Sequence, residues 1–216
     1  RSTSLDMTNP FFGSFGPIAY YGGGDDPTVT TFIGTNLSPS VSVNEISWTS
    51  ASIGTAAADR YVVVMAFGRS SPSGTRVLNT LTIGGNAATE LIERTVGSTA
   101  VAISILLVPT GTTADIVATW GGTMARGAFA VYTITGLRST TLVDSISATG
   151  ADPTGTIDVS AGGCILACVS NELNTAGTTW TGVTEFSDDI VASSELFPTG
   201  ELDYAAAVTN QTVTAD

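Results

Sequence analysis

The chain has 216 residues and a formal net charge of −12, and only 12% of its residues are charged. Nucleic acids and anionic membrane surfaces are bound through basic charge, and the chain has no run of Lys or Arg, so we expect it to bind neither. It contains no histidine, which excludes the Ser-His-Asp and Cys-His catalytic arrangements and every His-ligated zinc site.

The surface must consist largely of hydroxyl groups and backbone, because so few residues are charged. Such a surface favours assembly, since neighbouring subunits can cover apolar patches and sheet edges. We expect no membrane-spanning segment, because the longest apolar runs, such as residues 61–67, are far below the roughly 20 residues that cross a bilayer.

Residues 1–26 differ from the rest of the chain, because aromatic residues stand among glycines and prolines there without a strand or helix period. Each ring buries a large apolar area when it finds a pocket, so this segment must dock somewhere. It is either a loop folded back on its own domain or an extended arm that inserts into a neighbouring copy. In the second case the subunit contacts are Phe11, Phe12, Phe15, Tyr20 and Tyr21.

Residues 27–216 show alternating apolar and polar positions with Gly or Asn turns about every ten residues, which is typical of an antiparallel β-sandwich. We expect jelly-roll or Greek-key connections, no long α-helix, and one domain or two tightly packed sub-sandwiches that divide near residues 136–150. The predicted strands are residues 29–33, 41–48, 60–67, 78–83, 89–94, 100–108, 115–120, 127–134, 142–147, 155–159, 164–170, 179–184, 189–194 and 202–208.

Glycine pairs and one apolar strand refine this prediction. Gly84 with Gly85, and Gly121 with Gly122, follow strand-like runs and predict two tight hairpin turns. Residues 100–108 are apolar or small on both faces, which predicts a central strand.

Carboxylates are the remaining candidates for catalysis, in the pair Asp25 and Asp26 and in the cluster Glu185, Asp188 and Asp189. Adjacent residues on a strand point to opposite faces, so neither Asp pair supplies an acid and a base, and charged loop tips explain both groups. Calcium bound by Asp25, Asp26, Asp188 or Asp189 is an alternative, although the spacing of a calcium loop is missing. We therefore predict no enzymatic activity, no other metal and no other cofactor.

The tryptophans offer a candidate binding surface for sugar rings. Trp48 and Trp120 lie at strand ends among apolar neighbours, so we assign them to the core. Trp180 lies in a threonine-rich run, so it and Glu185 are the candidate contacts for a glycan on a host surface.

Cys164 and Cys168 lie in an apolar, glycine-flanked run that resembles a buried strand. A spacing of four places both thiols on one face, but too far apart to form a disulfide with each other. They are either two small buried residues or the partners of an intersubunit disulfide.

Four segments resemble sandwich modules encoded by structural genes of tailed bacteriophages. They are ISWTSASIGTAAADRYVVVMAFG (46–68), LNTLTIGGNAATELIE (78–93), ISILLVPTGTTADIVATW (103–120) and AFAVYTITGL (128–137). The resemblance implies a structural role in a virion, as a head decoration, collar or fibre subunit whose partners are its own copies and other virion proteins. It transfers no catalytic residue, and a receptor-binding or glycan-binding module at a fibre tip is the alternative.

Overall fold

The protein is an antiparallel β structure, as a computed structural model that describes residues 13–23, 28–38, 40–150, 152–172, 177–191 and 195–216 shows. The described residues contain no helix, and the strands form three sheets. Their bounds are β1 Gly13–Gly23, β2 Val29–Ser38, β3 Val43–Ser52, β4 Tyr61–Ser70, β5 Leu78–Ile83, β6 Asn86–Ala87, β7 Thr89–Val96, β8 Thr99–Leu107, β9 Thr113–Thr135, β10 Leu137–Ile146, β11 Thr149–Gly150, β12 Thr154–Val159, β13 Gly163–Glu172, β14 Trp180–Thr181, β15 Thr184–Val191, β16 Glu195–Tyr204 and β17 Val208–Ala215.

The first sheet has eight strands, β2 to β9, and curls toward a closed barrel. Its organiser is β9, whose first half pairs with β3 and β5 and whose second half pairs with β2 and β4. β8 lies between β4 and β7 and is buried on both faces, which confirms the prediction of a central strand. The concave face encloses one apolar cluster, which contains Ile53, Val64, Phe129 and Trp120.

The second sheet has six strands, with β1 between β10 and β13, followed by β16 and β15, and with β11 attached to β1. It packs against the outer face of the eight-stranded sheet through a second apolar cluster. Met65 and Tyr132 of the first sheet and Leu166 and Phe197 of the second belong to it.

The third sheet is the small one, β12, β17 and β14, and it covers the opposite face of the six-stranded sheet through a third cluster that includes Ile157, Ile165 and Val213. The molecule is therefore built in three layers. The layering explains why β4, β8 and β13 are continuous apolar runs: each is buried on both faces. The prediction of an all-β antiparallel sandwich is confirmed.

The chain passes from the first sheet to the second at Gly136, which has a positive φ of 74°. Strands between residues 29 and 135 form the eight-stranded sheet, and strands between 137 and 215, together with β1, form the other two. No helix in the described part of the chain has the length and apolar character needed to cross a bilayer.

Of the two hairpin turns predicted from glycine pairs, one is present in the structure and the other is not. Gly84 and Gly85 have φ values of 58° and 77° and connect β5 to β6, as expected for a hairpin turn. The predicted turn at Gly121 and Gly122 is wrong, because β9 continues through both residues. A Cβ at Gly122 would collide with the side chain of Arg76, so this glycine makes room for a crossing side chain.

The prediction that regular strands begin only after residue 26 is also wrong. Residues Gly13–Gly23 form β1, an inner strand that pairs with β10 on one side and with β13 on the other. The physical reason is that β13 and β10 present backbone N–H and C=O groups that need a partner in the middle of a sheet.

Candidate functional site

One face of β16 forms a row of side chains between the two large sheets. Successive side chains on a strand alternate between faces, so every second residue of β16 points toward the eight-stranded sheet. The row consists of Glu195, Phe197, Thr199, Glu201 and Asp203. Phe197 makes the apolar contact of the row, with its ring centroid 5.3 Å from that of Phe67.

Glu195 occupies one end of the row, where it is 1% exposed. Its carboxylate accepts charge-assisted hydrogen bonds from Arg69 of β4 and Arg126 of β9. These two arginines are direct partners in the β4–β9 ladder, so the carboxylate lies between two like charges. This group fixes the six-stranded sheet on the eight-stranded sheet at a defined position.

Two hydrogen bonds continue the connection. The hydroxyl of Tyr132 lies 2.7 Å from Oγ1 of Thr199. Asp203 accepts from the backbone N–H and the hydroxyl of Thr30, at 3.0 and 2.7 Å. Burial raises the pKa of Tyr132 well above its usual value, so this phenol stays protonated.

Glu201 lies between these two hydrogen bonds and is 8% exposed. Its Oε2 is buried and makes no hydrogen bond with any residue that the structure describes. Burial, and then the charge of Asp203, raise the pKa of Glu201 to about 7. Its protonation therefore changes near neutral pH.

A cleft of about 300 Å³ lies at the mouth of the eight-stranded sheet, between β2, the end of β9 and the loop before β4. The lining residues are Val29, Thr31, Ile33, Gly54, Thr55, Ala56, Ala57, Arg60, Thr133 and Thr135.

Arg60 is the charged residue of this lining and is 1% exposed. Its guanidinium donates to the carbonyl oxygens of Gly54, Val108, Thr110 and Gly111, at 2.8 to 3.0 Å. These bonds hold the loop after β3 against the loop after β8. Desolvation lowers the pKa of Arg60.

The structure places the predicted acidic cluster on a strand. The interpretation of Glu185, Asp188 and Asp189 as a charged loop tip is wrong, because they belong to β15, the edge of the six-stranded sheet. Asp188 accepts from the N–H of Thr178, and Asp189 accepts from the hydroxyl of Ser187. These bonds compete with a metal ion for the carboxylate oxygens.

Burial raises the pKa of Asp188 and of Glu185, and neighbouring carboxylates add to both shifts. Among the residues that the structure describes, no group of three potential ligands is close enough to hold a metal ion. Asp25 and Asp26 lie outside the described residues, so calcium binding at that pair stays a prediction.

The tryptophans are divided among the sheets. Trp120 is 1% exposed in the core of the eight-stranded sheet, and Trp48 is half-buried against the same cluster. Trp180 is half-buried against the third cluster, on β14. Trp180 and Glu185 thus belong to different sheets, and a shared glycan contact stays a prediction.

Cys164 and Cys168 are both free and fully buried in the face of β13 that meets the eight-stranded sheet. Burial raises the pKa of Cys164 to about 12 and that of Cys168 further. A disulfide to another subunit would require β13 to leave the centre of its sheet, because neither thiol reaches the surface.

The aromatic residues of the N-terminal segment are only partly placed. Phe15, Tyr20 and Tyr21 belong to β1, for which the backbone alone is described, and Phe11 and Phe12 lie outside the described residues. Their role as subunit contacts stays a prediction.

Sequence reasoning missed Arg60, Glu201 and Asp203. None of the three belongs to a local motif, and the lining of the cleft comes from three segments that are distant in the chain. A usable signal for β16 was its alternation, since Glu195, Glu201 and Asp203 fall on the same face as Phe197.

Comparison with protein-family models, with curated proteins and with solved structures finds no match to this chain.

Proposed function

We propose that the chain is a non-enzymatic structural subunit of a tailed-phage virion, as a head decoration, collar or fibre component. It acts through contacts with copies of itself and with other virion proteins. The observation that carries the proposal is the edge strand β15, which pairs with β16 and with no second strand of the described chain. Edge strands offer unpaired N–H and C=O groups to a partner.

Apolar side chains support the use of this edge as a contact. Phe186 and Ile190 of β15 are each 39% exposed. The ring of Phe186 also lies 5.9 Å from that of Phe32 on β2, so the exposed part of the ring is held in place. An edge with anchored apolar residues is a suitable contact surface.

The resemblance to phage modules adds the virion context. The four segments consist of strands of the eight-stranded sheet and the connections between them. The exception is Leu137, the last residue of the fourth segment, which begins β10. β15 lies outside them, so the contact surface is a feature of this chain beyond the resemblance.

Charge determines the conditions under which copies associate. β15 carries Glu185, Asp188 and Asp189, and the whole chain carries a net charge of −12. Two copies therefore repel each other at low ionic strength, and salt weakens that repulsion. Basic groups on another virion protein would have the same effect.

Sedimentation velocity tests the proposal with one pair of variants, in salt at about 0.5 M, where surface charges are screened. We expect the wild-type chain to associate and Ile190→Lys to remain monomeric. Val77→Lys is the matched control, because Val77 is 47% exposed and lies outside the strands. A wild-type chain that stays monomeric in high salt, or two variants that behave alike, would contradict this contact.

The fibre-tip alternative has weaker support. It needs Trp180 and Glu185 as joint contacts for a glycan, but the first packs against the third cluster and the second lies on another sheet.

A further inference from the structure

The cleft at the mouth of the eight-stranded sheet has the features of a small ligand site. Mouths of barrel-like sheets are common positions for such sites, and about 300 Å³ is at the lower end of their usual volume. It suits a molecule of the size of one sugar residue. Neither the assembly contact on β15 nor the row on β16 uses it.

Arg60 gives the cleft a positive charge that forms no ion pair with any carboxylate of the described residues. The guanidinium is almost completely buried, and its acceptors are four neutral carbonyl groups. A guanidinium has five N–H donors, so one N–H, on Nη1, has no acceptor among the residues that the structure describes. A buried charge that has only dipoles as partners is stabilised further by an anion.

Thr133 adds an unused hydroxyl. It is 8% exposed, lines the cleft and makes no side-chain hydrogen bond with any described residue. Thr31, Thr55 and Thr135 supply further hydroxyls to the same lining, and Ile33 supplies an apolar surface. The Thr133 hydroxyl is not among the buried atoms that lack a partner, so it is open to the cleft and can bond a polar ligand there in place of water.

We propose that this cleft binds a small hydroxylated carboxylate, the chemical class of the sugar acids. The carboxylate contacts the free N–H of Arg60, the hydroxyls of the ligand bond to the threonine hydroxyls, and its C–H groups contact Ile33. Recognition of this kind requires both the charge and the hydroxyl groups of the ligand.

Ligand-observed NMR with three probes separates these requirements. Glucuronate carries both features, glucose lacks the carboxylate, and butyrate lacks the hydroxyls. We expect glucuronate to bind about tenfold more tightly than either of the other two, which corresponds to about 1.4 kcal/mol. Equal binding of butyrate and glucuronate, equal binding of glucose and glucuronate, or no binding of glucuronate would overturn the proposal.

A matched pair of variants locates the binding. Ala56 and Ala58 are both exposed residues of the same loop, but only Ala56 lines the cleft. We expect Ala56→Phe to weaken glucuronate binding by at least about tenfold and Ala58→Phe to leave it unchanged. If both variants bind as the wild type does, glucuronate binds elsewhere and the assignment of the cleft is wrong.

Thr133→Val tests the hydroxyl without endangering the fold. Valine has nearly the same shape, and the replaced hydroxyl makes no hydrogen bond with any described residue, so the variant should be about as stable as the wild type. We expect weaker glucuronate binding with unchanged thermal stability. Thr156→Val, at an exposed position on β12, is the control.

Discussion

Single residues on β16 connect the two large sheets through polar as well as apolar contacts. Glu195 binds two arginines, Thr199 contacts Tyr132, and Asp203 binds Thr30. Glu201 is the exception in this row, because its buried oxygen has no partner among the described residues. Two predictions follow from the contrast between Glu195 and Glu201.

Replacing Glu201 should stabilise the protein at alkaline pH. The pKa of Glu201 is raised from 4.5 to about 7, so the folded state keeps a proton that the unfolded state has lost between these values. Stability therefore falls as pH rises from about 4.5 to about 7, and the loss persists above that range. We expect Glu201→Gln to gain about 2 kcal/mol at pH ~8 and little at pH ~4.

Urea unfolding at the two pH values measures this difference. Glu45→Gln, at an exposed position on β3, is the control and should change stability little at either pH. Destabilisation by Glu201→Gln at the higher pH would show that the Glu201 carboxylate has a partner when it is ionised.

Replacing Glu195, in contrast, should destabilise the protein. Glu195→Gln removes the negative charge that lies between Arg69 and Arg126, which face each other in the ladder. Breaking a buried charge pair on one side leaves the partner charge poorly compensated, so we expect a loss of about 3 kcal/mol in urea unfolding. Adding Arg126→Gln to Glu195→Gln should restore part of the lost stability. A double variant that is no more stable than Glu195→Gln alone would contradict this explanation.

At the scale of elements, β9 shows why some glycines are essential and others are not. A Cβ at Gly127 would collide with Cδ1 of Ile46 and lie 3.1 Å from the carbonyl oxygen of Phe67. A Cβ at Gly121 would meet nothing closer than 3.5 Å. Both glycines lie in the same strand, so they form a matched pair.

We expect Gly127→Ala to cost about 2 kcal/mol of stability through overpacking, and Gly121→Ala to cost less than about 0.5 kcal/mol. Thermal unfolding of the two variants measures the difference. Ile46→Val removes Cδ1 and should recover part of the loss at Gly127. Equal destabilisation by the two alanines would show that the β9 backbone, rather than the contact with Ile46, is responsible.

The sequence predicted elements well where one local signal decided them. β5 was predicted with the observed bounds, Leu78–Ile83, because an alternating run ends at a Gly-Gly turn. β9 was divided wrongly at Gly121 and Gly122, because the strand continues through both residues and Gly122 makes room for the side chain of Arg76 instead of forming a turn. β16 was mostly missed, because it contains Pro198 and because its inward residues are charged.

Non-local features could not be predicted from the sequence. The position of β1 between β10 and β13 depends on partners more than 100 residues away. The cleft combines residues near 31, 57 and 133, and the buried state of Arg60 depends on carbonyls from two loops. No local pattern encodes these distances, so the candidate site required the structure.

At the scale of the molecule, three layers leave the edge strand β15 with exposed Phe186 and Ile190 on a chain in which only 12% of the residues are charged. That combination is the structural basis of the proposed role as an assembling subunit. Interaction with a partner would cover the edge, and the acidic residues on β15 would limit pairing between free copies.

Under the proposed function a tailed phage encodes this chain, and the most direct test is mass spectrometry of gradient-purified particles of that phage. The chain has seven arginines and no lysine, so trypsin would leave residues 139–216 in one fragment, and a protease specific for acidic residues is preferable. We predict that the chain is present in intact particles at many copies each. A chain that is abundant in infected cells but absent from purified particles would contradict the proposed function.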